Sequence, residues 1–249
     1  MERHQFEGDL DALKHRLLHM GALVEAQTDK ALMALMERRM ELARTVIEGD
    51  VAVNLLQMEI DDRCLKMLAL QQPFATDLRL ITSAMKMGAD LERIGDQAVN
   101  IAENALRLLE TAPLKPVLDI EEMSEIAQKM TRDALDAFVR RDAALAREVL
   151  LRDDRVDQMK DSVFRVLLTH MMADPGTIER ALGLILISRN IERIADHATN
   201  IAEDVIFLIE AKDVRHHRST EFSHPAPEPL PQRREGEKVD SNTPKTDRD

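Results

Sequence analysis

Glu92, Asp96, Asn100 and Glu103 recur as Glu192, Asp196, Asn200 and Glu203, each one hundred positions further along the chain. They sit in two matching stretches, DLERIGDQAVNIAEN (90–104) and NIERIADHATNIAED (190–204). A helix advances ~100° per residue, so positions i, i+4, i+8 and i+11 fall near 0, 40, 80 and 20°. Each quartet therefore shares one face. Ile94, Ala98, Ile101 and Ala105 point the other way, as do Ile194, Ala198, Ile201 and Val205. Each stretch is expected to be an amphipathic helix with an apolar back and an acidic front. Two carboxylates one turn apart can reach one cation or bridge two, and an oxygen-only donor set suits hard cations. The plainer reading is a solvated face. Against it, like charges at i and i+4 repel by a few tenths of a kcal/mol, yet both copies keep the pair while neighbours diverge: Gly95 against Ala195, Gln97 against His197. His197, beside Asp196, could join such a site, but Gln97 takes its place in the other copy.

These faces need a scaffold. The repeat says the chain is two copies of one unit. The 249 residues include no Trp, no Tyr and six Phe, so the core must be aliphatic. The first helix is expected to run to about residue 38, carrying Leu10, Leu13, Leu17, Met20 and Val24 inward. A short helix over 41–47 should follow, broken at Glu48-Gly49-Asp50 with Asp50 as a new cap. A long helix then runs to about Leu70 and stops before Pro73. Asp77 should cap the third, motif-bearing helix, which runs to about Glu110. Pro113 and Pro116 mark a linker. The second copy repeats the order: 120–139 parallels the first helix, and ALAREVLLRDDRVD (144–157) parallels ELARTVIEGDVAVN (41–54). Pro175 stands opposite Pro73, and the last helix spans about 177–212. Short connections give antiparallel neighbours. The fold expected is all-α, two tandem pseudo-symmetric three-helix bundles over 8–112 and 118–217. A Pro-rich charged tail over 218–249 is expected to be disordered.

Composition excludes several functions. The net charge of −12 and the scarcity of aromatics leave no basic, base-stacking surface for nucleic acid. No segment approaches the 18 apolar residues of a membrane span. A single cysteine, Cys64, and an N-terminus without an apolar signal region fit a cytoplasmic protein. Cys64 reads as a small half-buried hydrophobe rather than a nucleophile. No Gly-rich phosphate loop is present. A carboxylate-bridged helical metalloenzyme is an alternative, but it needs paired Glu-x-x-His motifs that this chain lacks. A metal-free helical scaffold is another. His216 and His217 suit the carbonyl end of the last helix.

VIEGDVAVN (46–54), QQPFATDLRLI (71–81), DLERIGD (90–96) and NIERIAD (190–196), in this order and spacing, resemble the PhoU family of phosphate-regulon proteins. The resemblance covers roughly residues 8–217. It implies a non-enzymatic negative regulator of the phosphate-starvation response and of phosphate uptake. Such a protein links the ATPase of a phosphate ABC transporter to a sensor histidine kinase, reaches the membrane only through those partners, and often forms a homodimer. It also implies a possible multinuclear metal (iron, zinc, manganese or magnesium) on acidic helix motifs. Glu92 and Asp96 match that motif in the first half, and Glu192 and Asp196 in the second. Asp157 and Asp161 fit the family's partnering motif; their first-half counterparts, Asn54 and Met58, do not, which implies a weaker first site.

Overall fold

The computed structural model describes residues 2–71, 73–114 and 119–214. The expected tail, the centre of the linker, and His216 and His217 lie outside these residues. Among the described residues there are six α-helices and no strand. They are α1 (Glu2–Met36), α2 (Met40–Gln71), α3 (Ala75–Leu109), α4 (Ile120–Arg140), α5 (Ala143–Ala173) and α6 (Ile178–Glu210). A single 3-10 turn, Pro175–Thr177, leads into α6. Helices α1 to α3 pack on one another, α4 to α6 do the same, and α3 lies along α6.

The aliphatic periodicity explains the packing. Leu13, Leu17, Met20 and Val24 on α1 are wholly buried, as are Ile81, Met87, Leu91, Ala98 and Ile101 on α3. Their counterparts Ile191, Ala195, Ala198, Ile201 and Val205 on α6 are buried too. The turns are closed locally. The Asp142 side chain accepts from the Ala144 and Leu145 amides at the start of α5, and Asp174 accepts from the Gly176 amide before α6. Each satisfies orphan donors that a helix start leaves open. Arg38 turns the chain from α1 to α2 at φ 56°. Its guanidinium donates to the Leu109 and Thr111 carbonyls at 2.8 Å each, pinning the end of α3. Gly21 lets α1 meet α4: a Cβ there would run into the Leu135 side chain.

Two local expectations are corrected. α2 is one continuous helix through Glu48-Gly49-Asp50, and α5 likewise has no break. Mid-helix glycine costs about 1 kcal/mol, but the buried series Ala43, Val46, Val53, Leu56, Ile60 keeps its helical phase across Gly49. Burial of that face outweighs one weak position. The missing Gly49 side chain is also where the Gln27 amide sits, 3.2 Å from a Cβ placed there. Asp77 is not the cap of α3. Phe74 holds that position without a side-chain bond, and Asp77 lies in the first turn, where its charge suits the helix dipole.

Candidate functional site: two acidic helix faces

On α3, Glu92 and Asp96 are partly exposed, with Arg93 between them at 3.6 Å from each carboxylate. α2 brings Asp50 towards them. Asn54 Nδ2 donates to Asp50 Oδ2 at 2.8 Å. Asp50 Oδ1, Asn54 Oδ1 and the nearby Gln27 Oε1 are buried oxygens that accept no hydrogen bond from the protein. Gln27 lies between Gly49 and Gly95, each one residue before an acidic group of this face. The Glu92 carboxyl is pushed above its ordinary range. Desolvation is the main cause, Asp96 and Asp50 add to it, and Arg93 opposes it.

On α6, Glu192 and Asp196 face α5, which supplies Asp153 and Asp157. Here a cation of the chain stands among the acids. Lys160 Nζ lies 3.0 Å from Asp157 Oδ1 and 2.9 Å from Glu192 Oε1. The Glu192 bond, and to a lesser degree the Asp157 bond, raise the lysine's pKa against desolvation, so the ammonium is charged at any physiological pH. Asp196 has no such partner. Desolvation, then Glu192, Asp153 and Asp157, push its carboxyl up to about 6, with His197 opposing. Asp161 is exposed on the outer side of α5.

The acidic stripe of α6 does not stay on one side. Each i+4 step rotates the position by ~40°, so two turns beyond Glu192 the stripe has drifted towards α3. Asn200 donates to Asp90 at 3.1 Å, and His197 Nδ1 lies 2.9 Å from the same carboxylate. His197 thus bridges to α3 rather than joining Asp196. Nearby, Lys86 reaches the buried Asp204 at 3.1 Å. Cys64 is fully buried, and burial lifts its thiol to about 12, so it is no nucleophile.

The oxygen donors suit a hard cation, but the side chains as placed do not form a finished metal site. Among the described residues no three His, Cys, Asp or Glu side chains converge to hold an ion. On the second face the Lys160 nitrogen fills the gap between two of the donors. Sequence reasoning missed Asp50, Asp153 and Lys160. The first two were within reach, because the aligned segments 41–54 and 144–157 place Asp50 opposite Asp153. Lys160 left no such signal, since Gln57 stands opposite it.

Six antiparallel helices built from a duplicated unit, with the acidic motif repeated on its third helix, define a class of tandem all-α proteins. Sequence comparison gives that class its family. The PhoU domain model matches residues 17–105 and again 120–205, and the chain belongs to the PhoU family. A phosphate-specific transport system accessory protein PhoU homolog of Aquifex aeolicus is 44% identical over 208 residues, 84% of this chain and 94% of the relative. The corresponding Escherichia coli accessory protein is 36% identical over 212 residues, covering 85% and 88%. Among solved structures, PhoU from Pseudomonas aeruginosa superposes with a TM-score of 0.81 at 42% identity, covering 83% of this chain and all of that one. The Streptococcus pneumoniae phosphate transport system regulatory protein PhoU gives 0.78 at 31% identity, covering 84% and 99%.

Proposed function

We propose that this chain is a non-enzymatic negative regulator of phosphate uptake and of the phosphate-starvation response. In this reading it works in the cytoplasm as an adaptor between the ATPase of a phosphate ABC transporter and a sensor histidine kinase, and it pairs as a homodimer. The observation that carries the reading is the 44% identity to a phosphate-specific transport accessory protein over nearly that protein's whole length. The structure is compatible with action through partners. No helix among the described residues is long and apolar enough to cross a membrane. α2 presents Val51, Leu55, Met58 and Leu65, all more than half exposed, on its outer side.

The acidic faces are the second part of the proposal. A cation that accepts oxygen ligands, manganese, iron, zinc or magnesium, is proposed at Glu92 and Asp96, where the unpartnered Asp50 and Asn54 oxygens face the same need for positive charge. On the other face the proposed ligands are Asp157, Glu192 and Asp196, with Asp161 at the margin, and a cation there must displace Lys160. Bound charge would offset both the desolvation and the carboxylate repulsion that raise Glu92 and Asp196. Deleting the gene should raise output from a phosphate-starvation reporter in high-phosphate medium. Unchanged output with normal phosphate uptake would count directly against the regulatory role.

A further inference from the structure

Each half repeats the acidic motif, yet only one half supplies its own cation. Lys160 stands one turn beyond Asp157 on α5 and spans to Glu192 on α6, 3.0 and 2.9 Å from the two carboxylates. Its side chain is three-quarters buried, at 25% exposure, and that of Glu192 is 20% exposed. This is a seated ammonium, not a waving surface lysine. At the matching position of the first half stands Gln57, which carries no charge and donates instead to Asp61 on its own helix at 2.6 Å. The cation beside the first pair is Arg93. It lies on the same helix as Glu92 and Asp96, 62% exposed and 3.6 Å from each.

We infer that Lys160 is the built-in counter-cation of the second face: its ammonium holds the place between Asp157 and Glu192 that an external divalent cation would take, so that face is closed by the chain itself while the first stays open. Two consequences follow from charge alone. An ammonium 3 Å from the donors repels an incoming divalent ion and withholds two carboxylates from it. And the contact between α5 and α6 at this point holds without any metal, whereas the matching contact between α2 and α3 has no such tie.

The inference rests on the reading of the acidic faces as cation-binding, and the experiment separates the two. Mn2+ binding to the full chain is measured by equilibrium dialysis, with circular dichroism to confirm helix content. The variants are Glu92→Gln/Asp96→Asn, the same with Lys160→Met, the same with Lys160→Arg, and the Lys160→Met form with Glu192→Gln added. The unmutated chain should bind Mn2+, and Glu92→Gln/Asp96→Asn should weaken that binding by roughly tenfold or more, leaving only what can displace Lys160 at the second face. Adding Lys160→Met should restore it at the second face, with affinity raised by roughly tenfold or more, equivalent to about 1.4 kcal/mol. Lys160→Arg should not restore it, and Glu192→Gln should remove what Lys160→Met created. If Glu92→Gln/Asp96→Asn binds Mn2+ as tightly as the unmutated chain, Lys160 does not close the face and the inference fails, while the cation reading survives. If Lys160→Met folds but binds no more than its parent, the inference fails in the same way. If the unmutated chain binds nothing, the cation reading itself is lost, and the inference with it.

Discussion

The two acidic faces start from the same motif and end in different electrostatic states. On α3, Glu92 and Asp96 share one exposed arginine and look across to an aspartate and an asparagine, each with one buried oxygen that lacks a donor. On α6, Glu192 is tied to Lys160, while Asp196 has no such tie: desolvation first, and the neighbouring carboxylates after it, push its carboxyl up to about 6. The lesson is that a cluster's charge state depends on the helix opposite. Glu92 and Glu192 have nearly identical sequence neighbours, but α2 offers Gln57 where α5 offers Lys160.

The largest break of this comparison is expected from Lys160→Met in otherwise unmutated protein. Removing the ammonium leaves Asp157 and Glu192 unpaired beside Asp196. A charge-assisted hydrogen bond lost at a partly buried site costs about 1–2 kcal/mol, or roughly 3–6 °C of melting midpoint for a helical unit of this size. Gln57→Met, the matching change in the first half, removes one part-buried hydrogen bond to Asp61 within α2 and no charge, so it should move the midpoint by less than Lys160→Met does. Thermal melts in chelator decide it, and equal losses would erase the distinction between the faces.

A smaller effect should come from Asp196→Asn, and it carries a pH signature. The folded-state pKa of Asp196 is about 6, above the ordinary 3.8. Its contribution to stability is therefore fully present below about pH 3.8 and is lost as pH rises through 6. Asp196→Asn should melt higher than the unmutated chain at pH 7.5, with the gap narrowing between pH 6 and 4. A gap that widens on acidification would show the sign to be wrong. Glu92→Gln should behave in the same direction and more weakly, because Arg93 already offsets part of the repulsion there. Comparing the two variants at pH 7.5 in chelator measures how unequal the faces are, and a larger gain from Glu92→Gln would reverse the ranking.

The helical fold was legible because two periodic signals agreed: the hundred-residue repeat and the 3–4 spacing of buried aliphatics from Leu10 to Val24 and from Ile94 to Ala105. Gly49 misled because a local breaker was weighed without the apolar phase running through it. The pairing of Glu92 with Asp96 and of Glu192 with Asp196 followed from helix angles alone. What lies across from each pair did not follow, because it depends on how far two packed helices are rotated toward one another. Asp50 and Asp153 could have been found by extending the internal alignment to identity of charge. Lys160 could not: its reach from α5 to Glu192 is a property of packing, not of spacing.

The α3–α6 seam bears on how such differences arise. The two helices run antiparallel, with Lys86 at Asp204 towards one end and Leu108 at Gly183 towards the other; near the middle Asp90 meets His197, and the same register sets Asn190 opposite Gln97 about two turns along, both buried. Each half offers the other what two copies of one half would offer across an isologous two-fold contact. In a true pair of identical chains every substitution would appear twice, and a change that suits one end would be imposed on the other. Fusion into a single chain removes that constraint. One position of the seam can hold a carboxylate and an imidazole while its twin holds two neutral amides, and one acidic face can acquire a lysine that the other never receives.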